Sequence, residues 1–196
     1  LMSLPAALRA IHFPKNQEEA DSAAKRLAFD EMLILQLGML MLKEKSRKST
    51  PCVMNKKTGL DEFYASLPFK MTAAQLRCVK EITDDLSSGV PMNRLLQGDV
   101  GSGKTAVAAA ACYFSYKNGY QSALMAPTEI LAVQHYKTLS GFLEPLGIKT
   151  VLLTGSMTVK EKRAVKDELM SGEAGVAVGT HAIIQKDVEF ASLGLV

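Results

Sequence analysis

The stretch "GDVGSGKT", residues 98 to 105, brings glycines, a lysine and a hydroxyl side chain into one short segment. Gly98, Gly103, Lys104 and Thr105 satisfy the spacing G-x-x-x-x-G-K-[ST], which suits one chemistry in particular: gripping the phosphates of a nucleoside triphosphate. Gly98, Gly101 and Gly103 let the backbone turn tightly. The loop running through Asp99, Val100 and Ser102 can then aim successive N–H groups at phosphate oxygens. A helix starting at Lys104 would add about half a positive charge at the same place. Lys104 then reaches the β- and γ-phosphates, and the Thr105 hydroxyl ligates Mg²⁺. The competing reading is a glycine turn that merely joins a strand to a helix.

Flanking residues must say what such a loop drives, because many classes of phosphate-using protein share it. Upstream, in "LPFKMTAAQ", Phe69 can stack on a base and Gln75 can read an adenine edge through paired donor and acceptor. Gln75 has an equal alternative use, as the third-position partner of Thr72 in a helix capping box. Downstream, Thr128 in "APTEILAVQHY" and Thr180 in "GTHAII" stand where apolar runs give way to helical ones. A hydroxyl beside free N–H groups suits a phosphate backbone, and it equally suits plain helix capping. Together with "LLTGS" at 152 to 156 they form a set.

These residues need a frame that holds them at strand ends. Short apolar runs recur at "RLLQ" (94–97), "SALMA" (122–126), "TVLLT" (150–154), "GVAVG" (175–179) and the opening of "LGLV". Between them lie helical stretches, roughly 104–118, 129–146 and 159–171, with a short one after Thr180. Apolar runs without alternation, separated by helices, predict a parallel sheet covered on both faces. Its strand carboxyl ends are where ligands dock. Thr72 with Gln75, and Thr158 with Glu161, predict capping boxes; Gly89 and Gly172 predict helix stops.

Ahead of this α/β part, Asn16 with Glu19 predicts the start of a long helix from Gln17 to about Lys45. Its middle, "MLILQLGMLML" at 32–42, is apolar nearly all round, which predicts packing on more than one side. That run is interrupted by Gln36 and too short to cross a bilayer. Lys43, Lys45, Arg47, Lys48, Lys56 and Lys57 then face one acid, Glu44, in a stretch that reads as a basic, mobile linker. The expected organisation is therefore a helical segment with its connector at 1–60 and a P-loop domain, truncated, at 61–196.

Composition narrows the classes. Hydrophobic residues at 47% and charged residues at 22% fit a soluble globular chain and exclude a disordered or collagen-like one. The net charge of +3 is too small to argue for nucleic acid alone. Cys52, Cys78 and Cys112 lack paired spacing, so no disulfide framework or zinc site is expected, and a reducing cytoplasm is the natural home.

The wording of "LPFKMTAAQLRCVKEI", "MNRLLQGDVGSGKTAVAAAA", "APTEILAVQHY" and "VGTHAIIQKDVEFASLGLV" resembles superfamily 2 helicases and translocases. The likeness is strongest to the bacterial ATP-dependent DNA helicases that remodel branched DNA. "SLPAALRAIHFP" and "KRLAFDEMLILQL" resemble the segment that joins their wedge domain to the first motor domain, so nearly the whole chain is covered. The resemblance implies a RecA-like motor domain that uses ATP and Mg²⁺ to move on duplex DNA, regressing forks and migrating Holliday junctions in repair and recombination. The implied enzyme is monomeric and has no membrane partner. It also implies that Phe69 and Gln75 serve the base, the Gly98–Thr105 loop the phosphates, and Pro127, Thr128, Gly155, Thr180 and His181 the DNA or its coupling to ATP.

Departures accompany the match. The family continues from "LGLV" into a D-E-x-H box, and it carries a second motor domain that closes the ATP cleft. Lacking these parts, the chain is expected to bind nucleotide at most and to turn it over negligibly. The transcription-repair coupling translocases share the loop wording but usually place Phe where this chain has Ser102. Two readings from other classes remain: a P-loop phosphotransferase, and a non-catalytic module whose basic linker docks a partner.

Overall fold

A computed structural model describes residues 2–46 and 52–196. The backbone clusters into two compact units, Leu1–Lys48 and Ser49–Val196.

In the first unit, α1 (Leu4–His12) packs on α2 (Gln17–Ser46). The sequence reading does not anticipate α1, which begins with proline in its first turn, where the missing N–H has no helical partner anyway. Ala7, Ala10 and Ala23 are buried where the helices meet, with Leu27 and Met2 against them. The Asn16 side chain accepts from the Glu19 N–H at 2.8 Å, capping α2 as its sequence predicts. Beyond Leu27 the outcome differs from expectation. Among the described residues, Leu33, Ile34, Leu35, Leu37, Met39, Leu40 and Leu42 are exposed.

Of the expected mobile linker, the side chains of Lys43 and Lys45 and all of residues 47–51 lie outside the described residues. Residues 52–59 are fastened to the second unit. Met54 is 2% exposed, its N–H donates to Leu86 O, and Asn118 Oδ1 accepts from the Asn55 N–H at 2.6 Å. Lys56 pairs with Asp84 at 2.6 Å. The burial of Met54 and these hydrogen bonds override the linker-like composition.

The second unit is layered. Its sheet has the order β2-β3-β1-β4, with β1 (Gln121–Met125), β2 (Thr150–Leu153), β3 (Val176–Gly179) and β4 (Leu193–Leu195) all parallel. On one face, Val176 and Val178 share a core with α5 (Lys104–Lys117) and α6 (Glu129–Leu143), and α4 (Ala73–Leu86) packs on α5. On the other, Ala177, Val151 and Leu153 meet Leu169 of α7 (Val159–Ser171) and Ile183 of a 3-10 turn at His181–Ile184. Both faces of β3 are buried, which is why its run is apolar without alternation. The short α3 (Asp61–Ser66) inserts Phe63 into the first face.

The stretch 94–97 is not a strand, contrary to expectation. It has no ladder partner among the described residues: Leu95 is 87% exposed while Leu96 leans on the core. Arg94 ties it to α4 instead, through Asp85 and Glu81. A four-residue apolar run cannot by itself supply the neighbour that makes a strand. The expected helix 129–146 ends at Leu143 and tightens into a 3-10 turn over Glu144–Leu146, where Pro145 lacks the N–H that an α-helical bond would need.

Candidate nucleotide site and strand-end surface

Sheet register levels the strand ends. Met125 and Leu153 both pair with Gly179, so residues 126–128, 154–156 and 180–181 emerge side by side along one edge. Ala126 N–H donates to Gly179 O at 2.8 Å, and Thr180 N–H to Leu153 O at 3.3 Å. The turn at residues 118–120 reverses the chain between α5 and β1, so the amino end of α5 points to that same edge.

At that helix end sits the glycine-rich loop. Gly101 and Gly103 take φ of 82° and 80°, left-handed values that strain any residue with a Cβ. The Lys104 ammonium donates to Gly98 O at 2.7 Å and Asp99 O at 2.8 Å, and Ser102 N–H donates to Asp99 O at 3.2 Å. The loop is thus closed around its own lysine, with carbonyls rather than N–H groups serving the ammonium. The first N–H groups of α5, those of Lys104 and Thr105, have no intrahelical acceptor. The half-buried Thr105 hydroxyl makes no hydrogen bond among the described residues. Val100 is fully exposed at the loop tip.

Gln75 serves the capping box and the loop at once. Its Oε1 accepts from Thr72 N–H at 2.8 Å, its own N–H donates to Thr72 Oγ1 at 3.3 Å, and its Nε2 donates to Ser102 O at 2.9 Å. The capping alternative is therefore realised, and the same amide reaches across to the glycine loop. The amide passes so close to Gly103 that a Cβ there would overlap Gln75 Nε2. Phe69 is 43% exposed and rests edge-on against Phe142, with ring centroids 6.1 Å apart.

On the strand-end edge, the Thr128 side chain caps α6 by accepting from Leu131 N–H at 3.4 Å. Thr180, at the start of the 3-10 turn, makes no such side-chain cap. Pro127, Thr128, Gly155 and His181 are exposed, and Thr180 is half-buried. Thr158 and Glu161 form the expected capping box of α7, which ends at Gly172.

One residue of this edge carries no sequence signal. Glu129, the first residue of α6, accepts from Ser156 N–H at 2.9 Å, joining the loop after β1 to the loop after β2. The Ser156 hydroxyl and backbone hold its carboxyl below the ordinary value, with the Gly155 backbone and Lys162 adding to the effect. An acid in a first helical turn is favourable wherever it occurs, so the sequence gives no hint of a longer reach. A separate groove between α7 and residues 185–189 has Arg163 and Glu189 in its walls and shares Lys162 with the strand-end edge. Among the described residues no cluster of ligating side chains is arranged for a metal ion, and no helix is long and apolar enough to cross a membrane.

A P-loop opening a helix, with further motifs at the ends of a parallel sheet, defines a nucleotide-dependent motor domain of the RecA-like kind. Residues 72–196 match the DEAD/DEAH box helicase family, and the chain belongs to it. Membership implies ATP use. The chain is similar to the ATP-dependent DNA helicase RecG of Bacillus subtilis, 46% identical over 192 residues that cover 97% of this chain and 28% of that protein. RecG of Synechocystis is 45% identical over 198 residues, covering 100% of this chain and 24% of its own. Among solved structures, RecG bound to a three-way DNA junction superposes with a TM-score of 0.84 at 43% identity, covering 96% of this chain and 26% of that one. The chain thus spans about a quarter of the length of the curated relatives it matches.

Proposed function

We propose that this chain is the nucleotide-gripping part of an ATP-dependent motor that moves on duplex DNA and remodels branched junctions, forks and Holliday junctions included. The observation that carries the reading is a single sheet edge bearing both a P-loop and the loops after β1, β2 and β3. A change at the phosphates has only a short path to a bound DNA backbone. The likeness to RecG, one of whose structures holds a three-way junction, supplies the substrate class.

Gly98, Asp99, Val100, Gly101, Ser102 and Gly103 form the phosphate cradle. Lys104 leaves the Gly98 and Asp99 carbonyls to meet the β- and γ-phosphates, exchanging two neutral acceptors for charged ones, which bind an ammonium more strongly. Mg²⁺, if held beside Thr105, would supply charge neutralisation for the phosphates. The Thr105 hydroxyl, with no protein partner among the described residues, fits as its ligand. Phe69 offers a half-exposed ring for the base. Gln75 must release Ser102 O before pairing with adenine, which makes base recognition and loop opening one event. Pro127, Thr128, Gly155, Thr180 and His181 face the DNA backbone, and the enzyme acts as a monomer in the cytoplasm.

Titration with a fluorescent ATP analogue and Mg²⁺ tests the first step. Lys104→Ala is expected to weaken binding by about tenfold or more, the scale of a lost charge-assisted hydrogen bond. Equal binding by the variant would refute the loop's assignment. Thr180→Ala should weaken binding of a labelled DNA fork and leave the analogue's affinity as it was.

A further inference from the structure

We infer that Glu129 is a positioning residue that sets the DNA-facing loop after β2 from the end of β1. The inference rests on the strand-end edge being the DNA face.

That loop, residues 154–158, has few anchors of its own. Thr154 is buried at the end of β2, and its hydroxyl lies 3.3 Å from Ser156 Oγ. Gly155 and Ser156 are exposed. Two side chains from other elements hold them. Lys162 of α7 donates to Gly155 O at 2.6 Å, and Glu129 of α6 accepts from Ser156 N–H at 2.9 Å. The carboxylate also limits what fits beside it, since a Cβ on Gly155 would lie 3.1 Å from Glu129 Oε1. Glycine at 155 and glutamate at 129 are therefore matched in shape as well as in hydrogen bonding.

The charge suits a helix start but not a DNA face. A carboxylate on a face that meets phosphates repels them, and like charges at such a surface lower affinity. Its position is explained by what it holds. Glu129 follows Thr128 directly, so the residue offered to DNA after β1 and the clamp on the loop after β2 belong to one helix start. The Glu129–Ser156 hydrogen bond links the two loops.

The opposing effects of charge and hydrogen bonding give a test. Forked DNA carrying a fluorophore is titrated with the 196-residue chain at low salt, using Glu129→Ala, Glu129→Gln and Thr180→Ala beside the wild type. Fluorescent ATP analogue binding is measured in parallel as the check on folding. Glu129→Ala is expected to lower DNA affinity about three- to tenfold, the span of one hydrogen bond. Glu129→Gln keeps an acceptor oxygen and removes the like charge, so it should bind DNA as tightly as the wild type or more tightly. If both Glu129 variants gain affinity, the residue acts only as a repelling charge and the positioning role is wrong. If both lose it equally, the acceptor does not explain the loss and the role is likewise overturned. If Thr180→Ala loses affinity while Glu129→Ala does not, the DNA face stands and the positioning role alone falls. If the wild type does not bind the fork, or neither Thr180→Ala nor Glu129→Ala changes binding, the DNA-face reading falls, and this inference with it.

Discussion

Two helices of this chain look alike in sequence and end differently. The middle of α2 and nearly all of α5 are apolar around the whole circumference, with no polar stripe to mark a solvent side. α5 meets that demand. It lies between α4 and the sheet, and Ala109, Ala110, Tyr113 and Phe114 are buried together with their neighbours. The equivalent run of α2 is exposed from Met32 to Leu42. An all-apolar helix announces that it needs cover. It does not say which surface provides it, and small residues such as the alanines of α5 are what allow cover to come close on two sides.

The largest way to break this comparison is to remove equal bulk from each helix. Phe114 is 1% exposed, and Phe114→Ala should destabilise the second unit by about 3 to 5 kcal/mol in urea unfolding, since a cavity is left behind. Leu40 is 55% exposed, and Leu40→Ala should stay within about 0.5 kcal/mol. Comparable losses would show that α2 has cover in solution.

A dye that fluoresces on apolar surface sharpens the same point from the other side. Binding of such a dye to the native chain should fall strongly in the double variant Leu35→Lys, Met39→Lys, with the unfolding midpoint nearly unmoved. Undiminished dye binding would place the accessible apolar surface elsewhere.

The smallest effect lies at the surface where residues 52–59 meet α4. Lys56, then Lys80, hold the Asp84 carboxyl down from its ordinary value of 3.8 to about 2. A depressed acid stabilises the fold above its unfolded value and loses that contribution as pH falls through its folded one. The urea midpoint should therefore drop as pH is lowered from about 4 to 2, and Asp84→Asn should flatten that part of the profile. The pair is solvent-exposed, so the change is small, and added salt should shrink it further. An identical profile in the variant would assign the acid limb to other carboxylates.

Much of the second unit is legible in its residues alone. The bounds of α5 and α7, the capping boxes at Thr72 and Thr158, and the stop at Gly172 rest on interactions within a few residues, and each is found. So is the parallel sheet, because strands buried on both faces have a composition of their own. Residues 94–97 are not legible in this way. Whether an apolar tetrad becomes a strand depends on a neighbour distant in the chain, and here Arg94 and Leu96 bind it to α4 and the core without a ladder. Residues 52–59 mislead for a related reason. Asn55, Lys56 and Thr58 look like linker residues until Asn118 and Asp84 supply their partners.

The sequence by itself determined the glycine-rich loop ahead of α5, since its glycines, lysine and threonine are set by spacing along one segment. It determined which threonines stand at strand ends, because each is fixed by the change of rhythm beside it. Only the tertiary structure decided that Gln75 holds the loop from another helix, that Glu129 ties two strand-end loops together, and that the three loops stand level. Those contacts join residues 27 positions apart in both cases, Gln75 to Ser102 and Glu129 to Ser156. No local pattern encodes such a pairing. The Gln75 contact exists only once α4 has packed on α5, and the Glu129 contact only once sheet register has brought the ends of β1 and β2 into line.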